Sequence, residues 1–385
     1  MTTIDTPATS TPEPHPDRPL AERANEIGPV LAANAARHDR DGTFVAEAYD
    51  ALREAGLLRA AVPAELGGDG ATIRELADLQ RTLGHYCGAT ALASAMHQHV
   101  TCFTAWRYRR GMPGAEATLR RVADEQIVLV STGGGDFTHP AGEAVAVEGG
   151  YRVTGRKRFV SQSTGGTVMS TMFPFSDPER GMRVLNMAVP LASEGVTVAQ
   201  NWDVLGMRGT ASDDVILTDV FVPQERVLAD RPHGVIDPPL QVIASIGFSI
   251  ISGAYLGVAE AAYAEALRVA SRHGDDPQVQ RSIGLMRQRL LVAGWALDGA
   301  LTQLGDDPAP SYEAFLAVMA AKAEIARAGV EVCDLAMQVA GGASFFKGSV
   351  IERSYRDIRA AAFHPLTPEA TLVAAGQHAL GMPDH

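Results

Sequence analysis

Cysteine is scarce in this chain, with three residues among 385: Cys87, Cys102 and Cys333. An odd number of widely separated cysteines forms neither a disulfide ladder nor a paired metal-binding motif. Such sparing use is typical of proteins from a reducing compartment. We therefore expect a cytoplasmic protein without a metal site.

Basic residues are also in deficit, because 33 lysines and arginines face 45 aspartates and glutamates, which gives a net charge of −12. A surface of this sign repels phosphate backbones and anionic headgroups, so we expect neither nucleic acid nor an anionic membrane as a partner. The sequence has no unbroken apolar run of the ~20 residues that a membrane span needs. Its N-terminus has no apolar signal-peptide core, so we expect no membrane segment.

Several common catalytic motifs are missing. The sequence has no G-x-G-x-x-G between a strand and a helix, no phosphate-binding P-loop, no H-E-x-x-H and no G-x-S-x-G. One glycine-rich loop, at residues 131–136, follows a strand but has no βαβ unit around it. A tight turn is its more ordinary interpretation, although such a loop also lets backbone N–H groups approach a ring or a phosphate.

Composition and the spacing of apolar residues instead divide the chain into four parts. Residues 1–18 are rich in threonine and proline, which predicts a disordered tail. Residues 19–125 repeat apolar side chains every three or four positions, which predicts an α-helical domain. Residues 126–231 consist of short β-rich runs separated by turn residues, which predicts an antiparallel barrel or sandwich. Helical periodicity returns in residues 232–385.

Local patterns support this division. The runs 145–147 and 151–153 alternate around Gly149 and Gly150, which predicts a β-hairpin. Gly253 and Gly257 share one helix face, which predicts close backbone packing in a protein this acidic. The last part carries an apolar stripe typical of a helix bundle, formed by Val279, Ile283, Met286, Leu290, Ala293, Leu297, Leu301 and Leu304.

Four longer segments occur in a characteristic order: IVLVSTGGGD, GGYRVTGRKRFVSQ, WDVLGMRGTASDDVILTDVFVP and QVAGGASFFKGSVIERSYRDIRAAAFHPLT. Together they resemble the acyl-CoA dehydrogenase superfamily of flavoproteins, over residues 20–382. The resemblance implies an α+β fold with an N-terminal α-helical domain, a middle antiparallel β-barrel domain and a C-terminal four-helix bundle. It also implies a homotetramer, with the flavin between the β domain and the bundle.

The resemblance further implies which residues hold the flavin. Ser131 and Thr132 correspond to residues beside its pyrimidine side, Phe159 to an aromatic wall against the ring, and Ser161 to a hydroxyl near N5. The other cofactor-binding candidates are Gln338, Gly341, Gly342, Arg272 and Thr367. The first three match a segment that contacts the dinucleotide part of FAD from a neighbouring subunit. Because Arg272 lacks the phenylalanine that the family has three residues later, FMN remains an alternative to FAD.

Each of these residues also has an ordinary structural interpretation. Phe159 is compatible with a core position, Ser161 with a strand-end hydroxyl, and the glycine pair 341–342 with a helix C-cap. Their occurrence in family order favours the flavin site. We interpret the Arg356-Asp357 pair as structural, because such pairs order turns through charge-assisted hydrogen bonds.

The position of the family's catalytic base decides between reactions. Dehydrogenation of an acyl thioester needs a carboxylate within reach of the α-proton. The family's usual glutamate position, nine residues after Arg356, holds Pro365, and its alternative position on the first bundle helix falls near Gly247, in residues 244–249, which contain no acid. The nearest acids, Glu260 and Glu369, lie more than a helical turn away in sequence. These substitutions count against a dehydrogenase.

Near the missing glutamate stands His364. The same fold hosts two-component monooxygenases, which use reduced flavin from a separate flavin reductase together with O₂, and which resemble this chain in having a serine near N5 and a histidine at this place. We therefore expect Ser161 and His364 to be catalytic, with a His364 pKa near neutrality. His97, on a helix that the fold directs towards the substrate, is a third catalytic candidate.

Three functions follow from these residues. The favoured one is a monooxygenase or hydroxylase that uses reduced flavin and O₂ on a small organic substrate. The second is an FAD-dependent acyl-CoA dehydrogenase with a base elsewhere and an electron-transfer flavoprotein as partner. The third is a non-catalytic binding or scaffold protein that retains the fold.

Overall fold

A computed structural model of the protein describes residues 18–272 and 274–382, so residues 1–17 of the predicted tail lie outside it. The first part of the described chain is helical, as predicted. Helix α3 begins with a capping box, in which Thr72 and Glu75 satisfy each other's backbone N–H groups. The five helices are α1 (Leu20–Asp41), α2 (Ala46–Glu54), α3 (Ile73–Tyr86), α4 (Gly88–Arg109) and α5 (Ala115–Asp124).

The middle part forms one sheet of eight strands. The strands are β1 (Leu129–Ser131), β2 (Glu143–Val147), β3 (Gly150–Val160), β4 (Val168–Asp177), β5 (Gly181–Pro190), β6 (Val196–Val198), β7 (Asp213–Pro223) and β8 (Val227–Pro232). Their order is β6-β7-β3-β2-β4-β5-β8, and β1 pairs with β4. The predicted hairpin is confirmed, since Val147 pairs with Gly150. The sheet is mixed and not purely antiparallel, because β1 and β2 both run parallel to β4.

The last part returns to helices. They are α6 (Pro238–Ala270), α7 (Pro277–Leu304), α8 (Tyr312–Ala340), α9 (Val350–Asp357) and α10 (Pro368–Ala379). The apolar stripe of α7 is buried from Met286 to Leu304, as its periodicity predicts. The helix–strand–helix order of the acyl-CoA dehydrogenase-like fold is thereby confirmed.

Helix α6 is more apolar than the sequence analysis suggested, which found no segment long and apolar enough to span a membrane. Its 33 residues have a mean hydropathy of 1.9 over the most apolar window, which is long and apolar enough to cross a membrane. An unbroken apolar run was the wrong criterion, because serines and glycines interrupt α6 without making it polar. However, 94% of that window is buried inside the protein. We therefore interpret α6 as a core helix, which the fold covers on nearly all sides.

Helix α6 joins the first and last helical parts into one core. An added Cβ at Gly253 would lie 2.1 Å from the carbonyl oxygen of Ala77, and one at Gly257 would lie 2.0 Å from that of Arg81. Only glycine permits this backbone contact between α3 and α6, as the sequence predicts. One large cluster of buried side chains spans both helical parts, while the sheet has its own and a smaller third one lies between α4, α5 and β1.

The Arg356-Asp357 pair fixes the loop before β7 to the helices. Arg356 donates to both carboxylate oxygens of Asp39, at 2.8 and 2.6 Å, and to Glu352. Asp357 accepts a hydrogen bond from the backbone N–H of Met207. Burial raises the pKa of Asp357 to about 6. The pair is structural, as expected, and it anchors a loop whose other end reaches the candidate site.

Candidate active site

The candidate site lies where the loop after β1 meets α4, α6 and the segment 363–367. The Oγ of Ser131 lies 3.8 Å from the Sδ of Met96 on α4. The rings of Phe137 and Phe248 are 6.2 Å apart and link the same loop to α6. Pro365 packs against Gly134, where an added Cβ would lie 2.8 Å from its Cγ. These contacts bring together residues that lie far apart in the sequence.

Phe159 forms an exposed aromatic wall at the end of β3. Its side chain is 63% exposed, and its ring makes an edge contact with Trp202 at 6.2 Å between centroids. Its φ of 56° is rare for a residue with a side chain, and Gln162 shares this conformation at 58°. Strained backbone of this kind persists where the surrounding structure enforces it, often at functional sites. The core interpretation of Phe159 is therefore wrong.

Thr132 and Gly133 lie beside this wall. The backbone N–H of Thr132 donates to Ser170 at 3.2 Å, but its buried hydroxyl has no hydrogen-bond partner in the part of the chain that the structure describes. An added Cβ at Gly133 would lie 3.0 Å from the carbonyl oxygen of Arg158. An unpartnered buried hydroxyl, a glycine loop and an exposed aromatic ring fit a planar heterocycle such as a flavin.

Ser161 is buried next to Phe159. Its Oγ lies 2.8 Å from the Oγ of Ser212 at the start of β7. Ser161 directly follows the last residue of β3, so it does lie at a strand end, as its ordinary structural interpretation has it. A hydroxyl beside an exposed aromatic wall is also where the family resemblance expects the group near N5.

His364 is held by two helices of the bundle. Its Nε2 lies 2.7 Å from the hydroxyl of Tyr255 on α6. Lys322 on α8 donates to its backbone carbonyl at 2.7 Å and also to that of Leu366. Burial and the charge of Lys322 lower the pKa of His364 to about 4. The expectation of a pKa near neutrality is therefore wrong, and His364 is neutral at pH 7.

Tyr255 determines which nitrogen of His364 carries the proton. Burial raises the pKa of Tyr255 well above its ordinary value, so the phenol remains protonated. Among the described residues its hydroxyl has one polar partner, His364, and a buried O–H without an acceptor is costly. Tyr255 therefore donates to Nε2, which leaves Nδ1 of His364 to carry the ring proton.

His97 is not positioned for catalysis, in contrast to the prediction. Its Nε2 lies 2.6 Å from the carbonyl oxygen of Leu58, and its Nδ1 accepts from the backbone N–H of Leu129 at 3.0 Å. Both ring nitrogens are used by the backbone, and the residue is fully buried. His97 connects α4 to the segment before α3 and to β1, so its role is structural.

His99 is the residue that sequence reasoning did not select. Its Nδ1 donates to the carbonyl oxygen of Ala95 at 3.0 Å, so Nε2 is an acceptor. Its ring lies against Gly247, where an added Cβ would be 3.4 Å from Cδ2. The family resemblance implies that some members carry their base near this position. Burial lowers the pKa of His99 to about 4, so the ring is neutral.

The two nearest acids do not replace the missing base. Glu260 forms an ion pair with Arg81 through both carboxylate oxygens. Glu369 is exposed in the first turn of α10. The usual glutamate position is filled by Pro365, whose ring packs on Gly134. These positions therefore provide no carboxylate for removing an α-proton.

The remaining cofactor candidates lie elsewhere in the chain. Arg272 lies just beyond the end of α6, and the part of that helix from Phe248 to Ala270 alone is roughly 33 Å long at 1.5 Å per residue. Gln338 and the glycine pair 341–342 are exposed where α8 ends, and Gly341 forms its C-cap. Thr367 caps α10 by accepting from the N–H of Ala370 at 3.3 Å. Within one subunit, Arg272 is not brought to the Phe159 wall.

Comparison with known proteins agrees with this geometry. Residues 24–108 match the family model of the acyl-CoA dehydrogenase N-terminal domain, and residues 249–369 match that of the C-terminal domain. Amino sugar nitrososynthase DnmZ of Streptomyces peucetius is 30% identical over 370 residues, covering 90% of this chain and 89% of the relative. The chain belongs to the acyl-CoA dehydrogenase superfamily.

Two further similarities concern its monooxygenase branch. Isobutylamine N-hydroxylase of Streptomyces viridifaciens is 27% identical, covering 90% of this chain and 88% of the relative. The structure of KijD3 in complex with FMN and dTDP-3-amino-2,3,6-trideoxy-4-keto-3-methyl-D-glucose superposes with a TM-score of 0.86 at 28% identity. It covers 99% of this chain and 96% of that one. The predicted function is confirmed: this superfamily member is a flavin-dependent monooxygenase, with FMN or FAD as its cofactor.

Proposed function

We propose that this monooxygenase oxygenates the nitrogen of a small primary amine, using reduced flavin from a separate flavin reductase. The main support is the contact between His99 and Gly247, because it puts a neutral acceptor near the alternative position of the family's carboxylate. A carboxylate would favour an ammonium ion, whose nitrogen has no lone pair to oxidise. A buried neutral imidazole favours the free amine. Similarity to a nitrososynthase and an N-hydroxylase supports the same substrate class.

The chain's own residues have distinct roles in this proposal. His99 accepts a hydrogen bond from the amine N–H through Nε2 and thereby directs the nitrogen lone pair. His364 presents its Nδ1 proton to the oxygen atom that leaves as water. Phe159, Thr132 and Ser161 would hold the flavin ring, with the hydroxyl of Ser161 near N5 as the family resemblance implies.

Reduced flavin and O₂ supply the oxygen atom. In the overall balance O₂ accepts two electrons from the reduced flavin and two from the amine. One oxygen atom forms the new N–O bond, and the other becomes water when the O–O bond breaks. No carboxylate is needed in this balance, which is consistent with Pro365 and Gly247 at the family's base positions.

We also propose that the protein is a cytoplasmic homotetramer. Phe345, Phe346 and Phe363 are each at least 75% exposed, which is unusual for large apolar side chains in a monomer. The exposed residues Gln338, Gly341 and Gly342 lie next to the first two. In a tetramer this surface would cover the dinucleotide part of FAD bound to a neighbouring subunit, and Arg272 would reach its phosphates.

Product analysis tests the proposed reaction. The purified protein is incubated with a flavin reductase, NADH, FMN or FAD, and either a nucleotide-linked amino sugar or a simple primary alkylamine. We expect a product with one additional oxygen on nitrogen, which derives from isotopically labelled O₂. Its formation should require the reductase, the flavin and O₂ together.

The matched control is Ser163→Ala, which removes a buried hydroxyl that binds Ala211 and Asp213 and not Ser161. It should retain product formation, whereas Ser161→Ala should lose most of it. Anaerobic bleaching of a tightly bound FAD by an acyl-CoA, with no oxygenation of any amine, would instead establish a dehydrogenase. A protein that binds neither flavin would be the non-catalytic alternative.

A further inference from the structure

The hydroxyl of Ser161 is the end of a chain of buried hydroxyls. Its Oγ lies 2.8 Å from that of Ser212, which in turn lies 2.7 Å from the Oγ1 of Thr210. Thr210 donates to the backbone carbonyl of Met207 at 2.9 Å. All four residues are less than 9% exposed. The chain therefore runs from the Phe159 wall to a carbonyl in the loop before β7.

The carbonyl determines the direction of every hydrogen bond in this chain. A carbonyl oxygen only accepts, so the proton of Thr210 points to Met207. Thr210 then accepts from Ser212, whose single proton is thereby used. With its proton used, Ser212 accepts in its contact with Ser161, so the proton of Ser161 points towards Ser212 and away from the Phe159 wall. The lone pairs of the Ser161 oxygen remain available on that side.

The backbone holds this arrangement in place. Met207 and Ala211 have φ values of 54° and 43°, in the left-handed region that residues with side chains rarely adopt. The N–H of Met207 is bound by the carboxylate of Asp357. Its carbonyl also accepts from the indole N–H of Trp202 at 3.0 Å. Met207, at the end of the hydroxyl chain, is thus bound both to Asp357 on α9 and to Trp202, which contacts Phe159.

We propose that Thr210 and Ser212 are positioning residues that hold Ser161 as a hydrogen-bond acceptor and so make the site prefer reduced flavin. This inference rests on the proposed function, in which Ser161 faces flavin N5. In reduced flavin N5 carries a proton and donates, whereas in oxidised flavin it carries only a lone pair and accepts. An acceptor oxygen matches the reduced form and opposes the oxidised one.

Thr210→Val tests the direction of the chain without removing either serine. It deletes the acceptor of Ser212, so that Ser212 can donate to Ser161 and the proton of Ser161 can turn towards the flavin. Dissociation constants are measured for FMN and FAD, each oxidised and, anaerobically, reduced. We expect the preference for the reduced form to fall about ten-fold, mainly through tighter binding of the oxidised form.

Thr171→Val is the matched control, because Thr171 is fully buried in β4 and its hydroxyl has no partner among the described residues. It should keep the wild-type preference. Ser212→Ala offers a second variant if Thr210→Val does not fold, and it should also weaken the preference.

Equal loss of affinity for both flavin forms in the folded variants would indicate a purely structural role and overturn the inference. An unchanged preference would do the same, and the proposed function would stand if amine oxygenation continued. If the wild-type protein bound no flavin, the proposed function and the inference would both fail.

Discussion

Two histidines two positions apart on α4 have opposite surroundings. His97 and His99 are both buried, and burial lowers the pKa of each to about 4. His97 uses both ring nitrogens to bind backbone groups of Leu58 and Leu129. His99 uses Nδ1 within its own helix and turns its ring towards Gly247. Neighbours at this spacing point to different sides of a helix.

The difference shows that burial and pKa do not identify a functional histidine. In the proposed function, the distinguishing feature is the number of ring nitrogens left without a backbone partner. His97 has none, so it stabilises the junction between α4 and β1. Among the described residues His99 has one, and its ring lies against Gly247, near the position at which a minority of the superfamily carries its carboxylate. Substitutions at the two positions should therefore affect stability and activity differently.

The largest expected effect comes from His99→Ala. Loss of the acceptor leaves the amine without orientation, so the rate of product formation should fall about 100-fold. The melting temperature should fall less than in His97→Ala, because the ring is lost with one hydrogen bond within α4 and no backbone group outside α4 loses its partner. Stopped-time product assays and thermal unfolding measure the two quantities. An active His99→Ala variant would remove His99 from the proposed mechanism.

His97→Ala should have the opposite effects: a large loss of stability and little loss of activity. It leaves a buried carbonyl and a buried N–H without partners, which should lower the free energy of unfolding by about 3 kcal/mol. Urea unfolding measures this loss. The fraction that remains folded should oxygenate amine at close to the wild-type rate. A strong loss of rate in folded protein would contradict the structural assignment.

Tyr255→Phe extends the comparison to the third neutral histidine. Without the phenol, Nε2 of His364 loses its donor, and either nitrogen can carry the proton. We expect about a ten-fold lower rate with nearly unchanged stability, since a single neutral hydrogen bond is lost. The ratio of product formed to flavin oxidised should fall as well. Equal ratios in both proteins would argue against a tautomer set by Tyr255.

The smallest effect concerns pH. The folded-state pKa of His99 lies below its unfolded value, so the stability linked to its neutral form is complete above pH 6.5 and is lost as pH falls towards 4. Between pH 6.5 and 5.5 this loss is about 1 kcal/mol. His99→Gln should lose correspondingly less stability over that interval, as measured by urea unfolding. Identical slopes would show that His99 is not held neutral.

Periodicity predicted most of the fold. The stripe on α7, the hairpin at Gly149 and the glycine contact of α6 all depend on local spacing, which the sequence displays directly. The parallel pairing of β1 and β2 with β4 was missed, because strand direction in a sheet depends on contacts between distant segments. The domain boundaries stay predictions.

The site was only partly predictable. The order of the family-like segments identified Phe159, Ser161 and His364 as candidates, because these residues lie within those segments. The orientation of His97 and His99 depends on the rotation of α4 against β1 and α6, which no local pattern contains. The lowered pKa of His364 likewise depends on burial by the assembled fold and on the charge of Lys322, which is 42 residues away in sequence.

The apolar character of α6 has a consequence for synthesis on the ribosome. When this helix leaves the exit tunnel, α3 and α4 have already been made and can shield one side of it. The other side must wait for α8, which is translated more than forty residues later. During that interval the nascent chain exposes an apolar helix as hydrophobic as a membrane-spanning one, which is the kind of segment that targeting factors and chaperones bind.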